Sequence, residues 1–169
     1  KPVFALAGNH DDNAYSTFKV EKVMNNQDWN DAVIDYVVNR STSDGDKADV
    51  QVVQDTDLSN GPSKYYYYDL EAKKTRVVCL DAINYPYSWN EETQSWDLAV
   101  KNASASNDRS KYYNGYNTWG YSTKQIEWLA EVALTCDDGW DYVFLSHMGI
   151  DEATNSNTVL NGKQLRDVI

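Results

Sequence analysis

Apolar and polar positions alternate along this chain with periods that change from segment to segment. Residues 3 to 7, "VFALA", are apolar on both alternating faces, as in a strand covered on two sides, and they run straight into the turn residue Gly8. "YSTFKVEKVMNN" (15 to 26) predicts a short helix from an imperfect stripe of Phe18, Val23 and Met24. "DWNDAVIDYVVNR" (28 to 40) predicts a clearer one, with Asp28 as N-cap and a face of Trp29, Val33, Tyr36 and Val37 at i, i+4, i+7 and i+8. "STSDGDKAD" reads as a loop, "DVQVVQ" as an alternating strand and "NGP" at 60 to 62 as a turn. "KYYYYDL" and "TRVVCLDA" flank the short polar "EAKK" and predict a hairpin. Its second strand alternates less and so is the more buried.

Regularity is lost from about 84 to 121, an aromatic and polar stretch that predicts long ordered loops or an irregular insertion with one short hairpin. "STKQIEWLAEVAL" is the strongest helix prediction. Ser122 and Gln125 make the S-x-x-Q capping-box pattern, and Ile126, Leu129 and Ala133 form the apolar face. "WDYVFLSHMG" predicts a buried strand ending at Ser146-His147, "DEATNSNTVL" a loop, and "NGKQLRDVI" a helix with Leu165, Val168 and Ile169 on one face. Strands interleaved with helices predict an α/β fold, and 169 residues suit a single domain, 1 to 169. Apolar runs that begin and end the chain predict that it is a fragment of a larger fold.

Charge narrows the partners. A net charge of -11 opposes non-specific binding to a nucleic-acid backbone, while leaving room for a small phosphorylated substrate held through metal ions. No apolar run approaches a membrane span, so no membrane partner is expected. Cys79 lies in the "TRVVCLDA" strand and reads as a core residue, and no cysteine pair has metal-site spacing. "NRS" at Asn39 and "NAS" at Asn102 match the glycosylation acceptor pattern, which is common by chance.

The candidate chemistry sits at the two histidines, His10 and His147, each at the point where an apolar strand gives way to a loop. In open α/β sheets, ligands bind outside the carboxyl ends of strands, so two such histidines on neighbouring strands would converge on one cleft. "GNHD" (8 to 11) behind its apolar run resembles the signature of the calcineurin-like metallophosphoesterase family. In the same order, "YYYYDLEAKKTRVVCLDA", "GYSTKQIEWLAEVAL" and "YVFLSHMG" resemble that family's hairpin, helix and histidine-bearing strand.

The resemblance implies a partial α/β/β/α sandwich with mixed β-sheets. It also implies metal-dependent hydrolysis of a phosphomonoester or phosphodiester at a pair of divalent ions, with Fe, Mn or Zn as candidates. By resemblance Asn9 and His147 are metal ligands, and His10 faces the phosphoryl group and leaving-group oxygen. Asp11 orients His10 or, equally, makes a loop hydrogen bond or helix cap. Gly8 supplies a turn that brings backbone close to phosphate. The family's aspartate-x-histidine, glycine-aspartate and glycine-histidine-x-histidine blocks have no counterpart in place. Gly45-Asp46 lies in a polar loop, and with His10 and His147 assigned no histidine remains. The chain alone is therefore expected to lack a complete metal centre and to be inactive. The rival reading is a non-catalytic carbohydrate- or protein-binding module that uses the aromatic loops at 84 to 121.

Overall fold

The apolar run of 75 to 80 becomes the central strand of a four-stranded mixed sheet. In the computed structural model, β1 (Val53–Gln54), β2 (Tyr66–Leu70) and β3 (Thr75–Leu80) are successive antiparallel neighbours. A later strand, Asp141–Ser146, pairs in parallel with β3, giving the order β1, β2, β3 and then this strand. The structure describes residues 2–8, 11, 24, 26–39, 52–58, 61–82, 87–90, 95–98, 118–150, 153–154 and 157–169, with backbone only for 87–90, 95–98, 118–119, 153–154 and 157–160.

The β2–β3 hairpin forms as its pattern predicts. One 3-10 turn, Glu71–Lys73, connects the strands, and Lys74 closes it in the left-handed region at φ 47°. Asp69 and Arg76 face each other across the ladder. The Arg76 guanidinium donates through Nε and Nη2 to the two carboxylate oxygens of Asp69, both at 2.7 Å. It also lies 3.7 Å over the Tyr67 ring and donates to the Ala133 carbonyl at 2.8 Å, so one side chain ties the hairpin to a helix end.

Every residue of β3 after Thr75 is buried, because both sheet faces are covered. On one face Val78 and Leu80 pack with Tyr121, Trp128, Leu129, Ala133 and Leu165. Apart from Tyr121, which lies just before α2, these come from α2, which runs Thr123–Trp128 and continues as a π-helical turn over Leu129–Ala133, and from α3 (Gly162–Val168). On the other face Val77 and Cys79 pack with Ala7, Trp29, Ile34, Val38 and Tyr66. Those helical residues belong to α1, an α-helical turn Asn26–Trp29 followed by i→i+5 winding over Asn30–Asn39. The architecture is thus α/β, with helices on both faces of one mixed sheet. Cys79 is a core residue as predicted, and burial pushes its thiol up to about 11.

Several elements differ from their expectations. The run 3 to 7 makes no strand ladder among the described residues. Instead the Tyr66 hydroxyl accepts from the Ala5 amide at 2.9 Å and donates to the Ala5 carbonyl at 3.0 Å, replacing a strand neighbour with one phenol. Helix α1 starts two residues before Asp28, which lies inside its first turn. Its buried face is Trp29, Asn30, Ile34 and Val38, while Tyr36 is 63% exposed and Val37 40%. The π-helical winding explains the shift. Rows built on 3.6 residues per turn drift off the sheet when the turn widens. Gly61 adopts φ 101°, and a side chain there would meet the Gln27 backbone nitrogen at 2.9 Å, so the "NGP" turn brings α1 close.

The strand 141 to 146 is an edge strand among the described residues and only partly buried. Among the described residues of the 84 to 121 segment, β4 (Tyr87–Asn90) and β5 (Ser95–Leu98) form the short hairpin that was one of its expected contents. The segment ends in β6 (Thr118–Gly120). With β7 naming Asp141–Ser146, the stretch read as a loop contains β8 (Ala153–Thr154) and β9 (Asn157–Leu160). They pair with each other, and β9 also pairs in parallel with β6. In α3, Leu165 is fully buried and Val168 packs beside it, but Ile169 is half exposed. The expected helix near 15 to 26 and the Gly45-Asp46 loop lie outside the described residues, apart from Met24 and Asn26. Asn39 of the "NRS" sequon accepts from the Val52 amide and donates to Asp35, both at 3.1 Å, which engages the amide that glycosylation would need.

Candidate active site

Parallel pairing brings two strand ends to one rim. Leu80 at the end of β3 lies opposite Ser146 at the end of β7, so the next residues, Asp81 and His147, leave the sheet side by side. His147 is exposed there. The other motif arrives from the start of the chain. Residues 4 to 7 pack on the sheet beside Leu145, which delivers Gly8 to the same rim.

Gly8 and Asp11 close a tight turn. The Asp11 amide donates to the Gly8 carbonyl at 3.1 Å, and the Gly8 amide donates to Asp11 Oδ2 at 2.8 Å. Space at residue 8 is tight. A Cβ on residue 8 would stand 3.0 Å from Asp11 Oδ2, 3.3 Å from His147 Cε1 and 3.5 Å from His147 Nδ1. A turn does form at Gly8, and it brings residue 8 close to Asp11 and His147. Asp11 uses Oδ2 to hold the turn, the loop hydrogen bond that was one of its two expected roles. Asn9 and His10 lie outside the described residues.

This arrangement yields a direct expectation. Gly8→Ala forces the Asp11 carboxylate off the Gly8 amide or pushes His147 outward, and overpacking of this kind costs about 1–3 kcal/mol. Urea denaturation of Gly8→Ala, Asp11→Ala and the double variant checks it. The double variant should lose less than the sum of the singles, because removing the carboxylate relieves the clash. Strict additivity would show that the added methyl does not press on the Asp11 carboxylate.

Behind the rim lies a buried polar frame. Asp81 is held through its backbone. Its amide donates to Gln125 Oε1, and Gln125 Nε2 donates to its carbonyl, both at 2.8 Å. Its carboxylate faces Lys64 Nζ at 3.7 Å in a nearly solvent-free pair. The Tyr65 hydroxyl donates to Asp55 Oδ2 at 2.7 Å, and burial followed by that carboxylate drives the phenol's pKa far above its ordinary value. Ser122 caps α2 by accepting from the Gln125 amide at 3.0 Å, half of the expected capping box. The other half does not form, because the Gln125 side chain is fully buried and spent on Asp81.

Sequence reasoning missed Gln125 and Tyr121 as residues that support the rim. Gln125 was visible as a capping-box member, and Tyr121 only as one aromatic among many. Among the described residues no three His, Cys, Asp or Glu side chains gather into a group able to hold a metal ion, and no helix is long and apolar enough to cross a membrane. Comparison with known protein families, curated proteins and solved structures finds no match to this chain.

Proposed function

We propose that these residues form part of a metal-dependent phosphoesterase that hydrolyses a phosphomonoester or phosphodiester, within a metallophosphoesterase-type sandwich. The observation that supports this reading is the meeting of the Gly8–Asp11 turn with His147 at the carboxyl ends of β3 and β7. Two motifs from opposite ends of the chain share one rim, where open α/β sheets bind ligands.

In this reading His147 offers an imidazole nitrogen and Asn9 an amide oxygen, donors that suit Zn, Mn or Fe. When bound, such ions polarise the phosphoryl group and make water nucleophilic at neutral pH. His10 stands between Asn9 and Asp11 in sequence and acts on the phosphoryl group, giving a proton to the leaving oxygen. Asp11 keeps the turn closed, and Gly8 keeps it close to His147. Two histidines are too few to supply both metal sites of this type, so in this reading other donors complete them.

Hydrolysis of p-nitrophenyl phosphate and bis-p-nitrophenyl phosphate, with Mn²⁺ or Zn²⁺ and with chelator, tests the reading on the full-length product and on this chain. Metal-dependent turnover by the full-length product, with little by the chain, is the expected result. No turnover by either would favour a non-catalytic binding module built on the aromatic loops.

A further inference from the structure

Tyr121 is fully buried and anchored on both sides. Before it, the Gly120 amide donates to the Ala82 carbonyl at 3.1 Å, fixing the strand to the exit of β3. After it comes Ser122, the cap of α2. Its own carbonyl accepts from Asn161 Nδ2 at 2.9 Å, and Asn161, in the left-handed region at φ 60°, begins α3. Three elements therefore hold this residue.

From that anchor the phenol reaches across to the end of β7. Its hydroxyl donates to the Met148 carbonyl at 3.1 Å and lies 3.0 Å from Ser146 Oγ. A phenol has one proton, so once that proton goes to Met148 the Ser146 hydroxyl is the donor of the second bond. Ser146 and Met148 are the residues on either side of His147. The residue that carries the exposed imidazole is thus flanked by two contacts to one rigid side chain, the Ser146 hydroxyl before it and the Met148 backbone carbonyl after it. Burial raises the Tyr121 pKa, partly offset by Ser146, which keeps the phenol a neutral donor.

We propose that Tyr121 is a positioning residue that fixes the backbone of His147 through paired hydrogen bonds to Ser146 and Met148. The clamp itself is independent of the phosphoesterase reading. Its consequence for metal binding rests on that reading.

The test uses the ¹⁵N-labelled chain, comparing wild type with Tyr121→Phe, which keeps the ring and removes the hydroxyl, and with Ser146→Ala, which removes one arm. Amide hydrogen exchange at His147 and Met148 should rise about tenfold in Tyr121→Phe, while core amides of Val78 and Leu129 hold their wild-type rates. Exchange at 147 and 148 within twofold of wild type, or a rise shared equally by the core amides, would overturn the clamp and leave Tyr121 a packing residue. Should Tyr121→Phe fail to fold, Ser146→Ala carries the same comparison.

A MnCl₂ titration then reads the consequence through paramagnetic broadening of the His147 ring signal, assigned with His147→Gln. Tyr121→Phe should need several times more Mn²⁺ for equal broadening. Absence of broadening in wild type would show that these residues alone do not hold Mn²⁺, while the exchange data still decide the clamp.

Discussion

Gln125→Ala lowers the stability of this chain by about 3–5 kcal/mol, among the largest losses expected for any single substitution in it. The side chain is fully buried, and both of its polar atoms are spent on the Asp81 backbone. Alanine strands a buried amide and a buried carbonyl, each costing about 1–3 kcal/mol, and leaves a cavity beneath α2. Against a typical total of about 5–15 kcal/mol, that is a large fraction. Chemical denaturation measures it, with a melting temperature expected to fall by roughly 10 °C. Gln125→Met fills the cavity without restoring the bonds and should recover only part of the loss. A loss below about 1 kcal/mol for Gln125→Ala would mean that water or a rearranged backbone satisfies Asp81, and that the Gln125 bonds contribute little.

His10→Ala and His147→Ala, in the larger protein that the proposed function implies, should fail in different ways. On the proposed assignment His10 serves the phosphoryl group, so its loss lowers the turnover number by roughly 10²–10⁴ with metal content largely kept. His147 is assigned to the ion, so its loss lowers bound metal first, with activity following. Metal analysis and steady-state kinetics on both variants separate the roles. Equal loss of metal in the two variants would make His10 a ligand or a structural residue. Full activity in both would move the chemistry away from the G-N-H-D turn.

The placement of the site was partly legible. Apolar runs before His10 and His147 predicted a shared rim. The Gly8 turn comes close to His147 there, while Asn9 and His10 fall outside the described residues. The hairpin was legible because "RVVCL" can be satisfied only by burial on two faces, and the strand before it is tied to it by Asp69 opposite Arg76. Helix α2 was legible from Ser122 and the stripe through Leu129 and Ala133. The face of α1 was not, since a period of 3.6 mispredicts a helix wound with i→i+5 bonds. Strands β8 and β9 were hidden in an Asn-, Ser- and Thr-rich stretch whose composition reads as loop. The pairing of β9 with β6 is a long-range event with little local signature.

By itself, then, the sequence determined where strands, turns and helices were favoured and which residues carry chemistry, because backbone propensity and the period of apolar positions act over a few neighbours. Only the tertiary structure decided the partners of the polar side chains. Gln125 chose Asp81 rather than its own helix cap, and the Tyr121 phenol chose the two residues flanking His147. The physical reason is desolvation. Once packing excludes water, a buried amide or phenol must bond to whatever polar group the fold brings within reach, and that group lies 44 residues away for Gln125 and 25 and 27 for Tyr121.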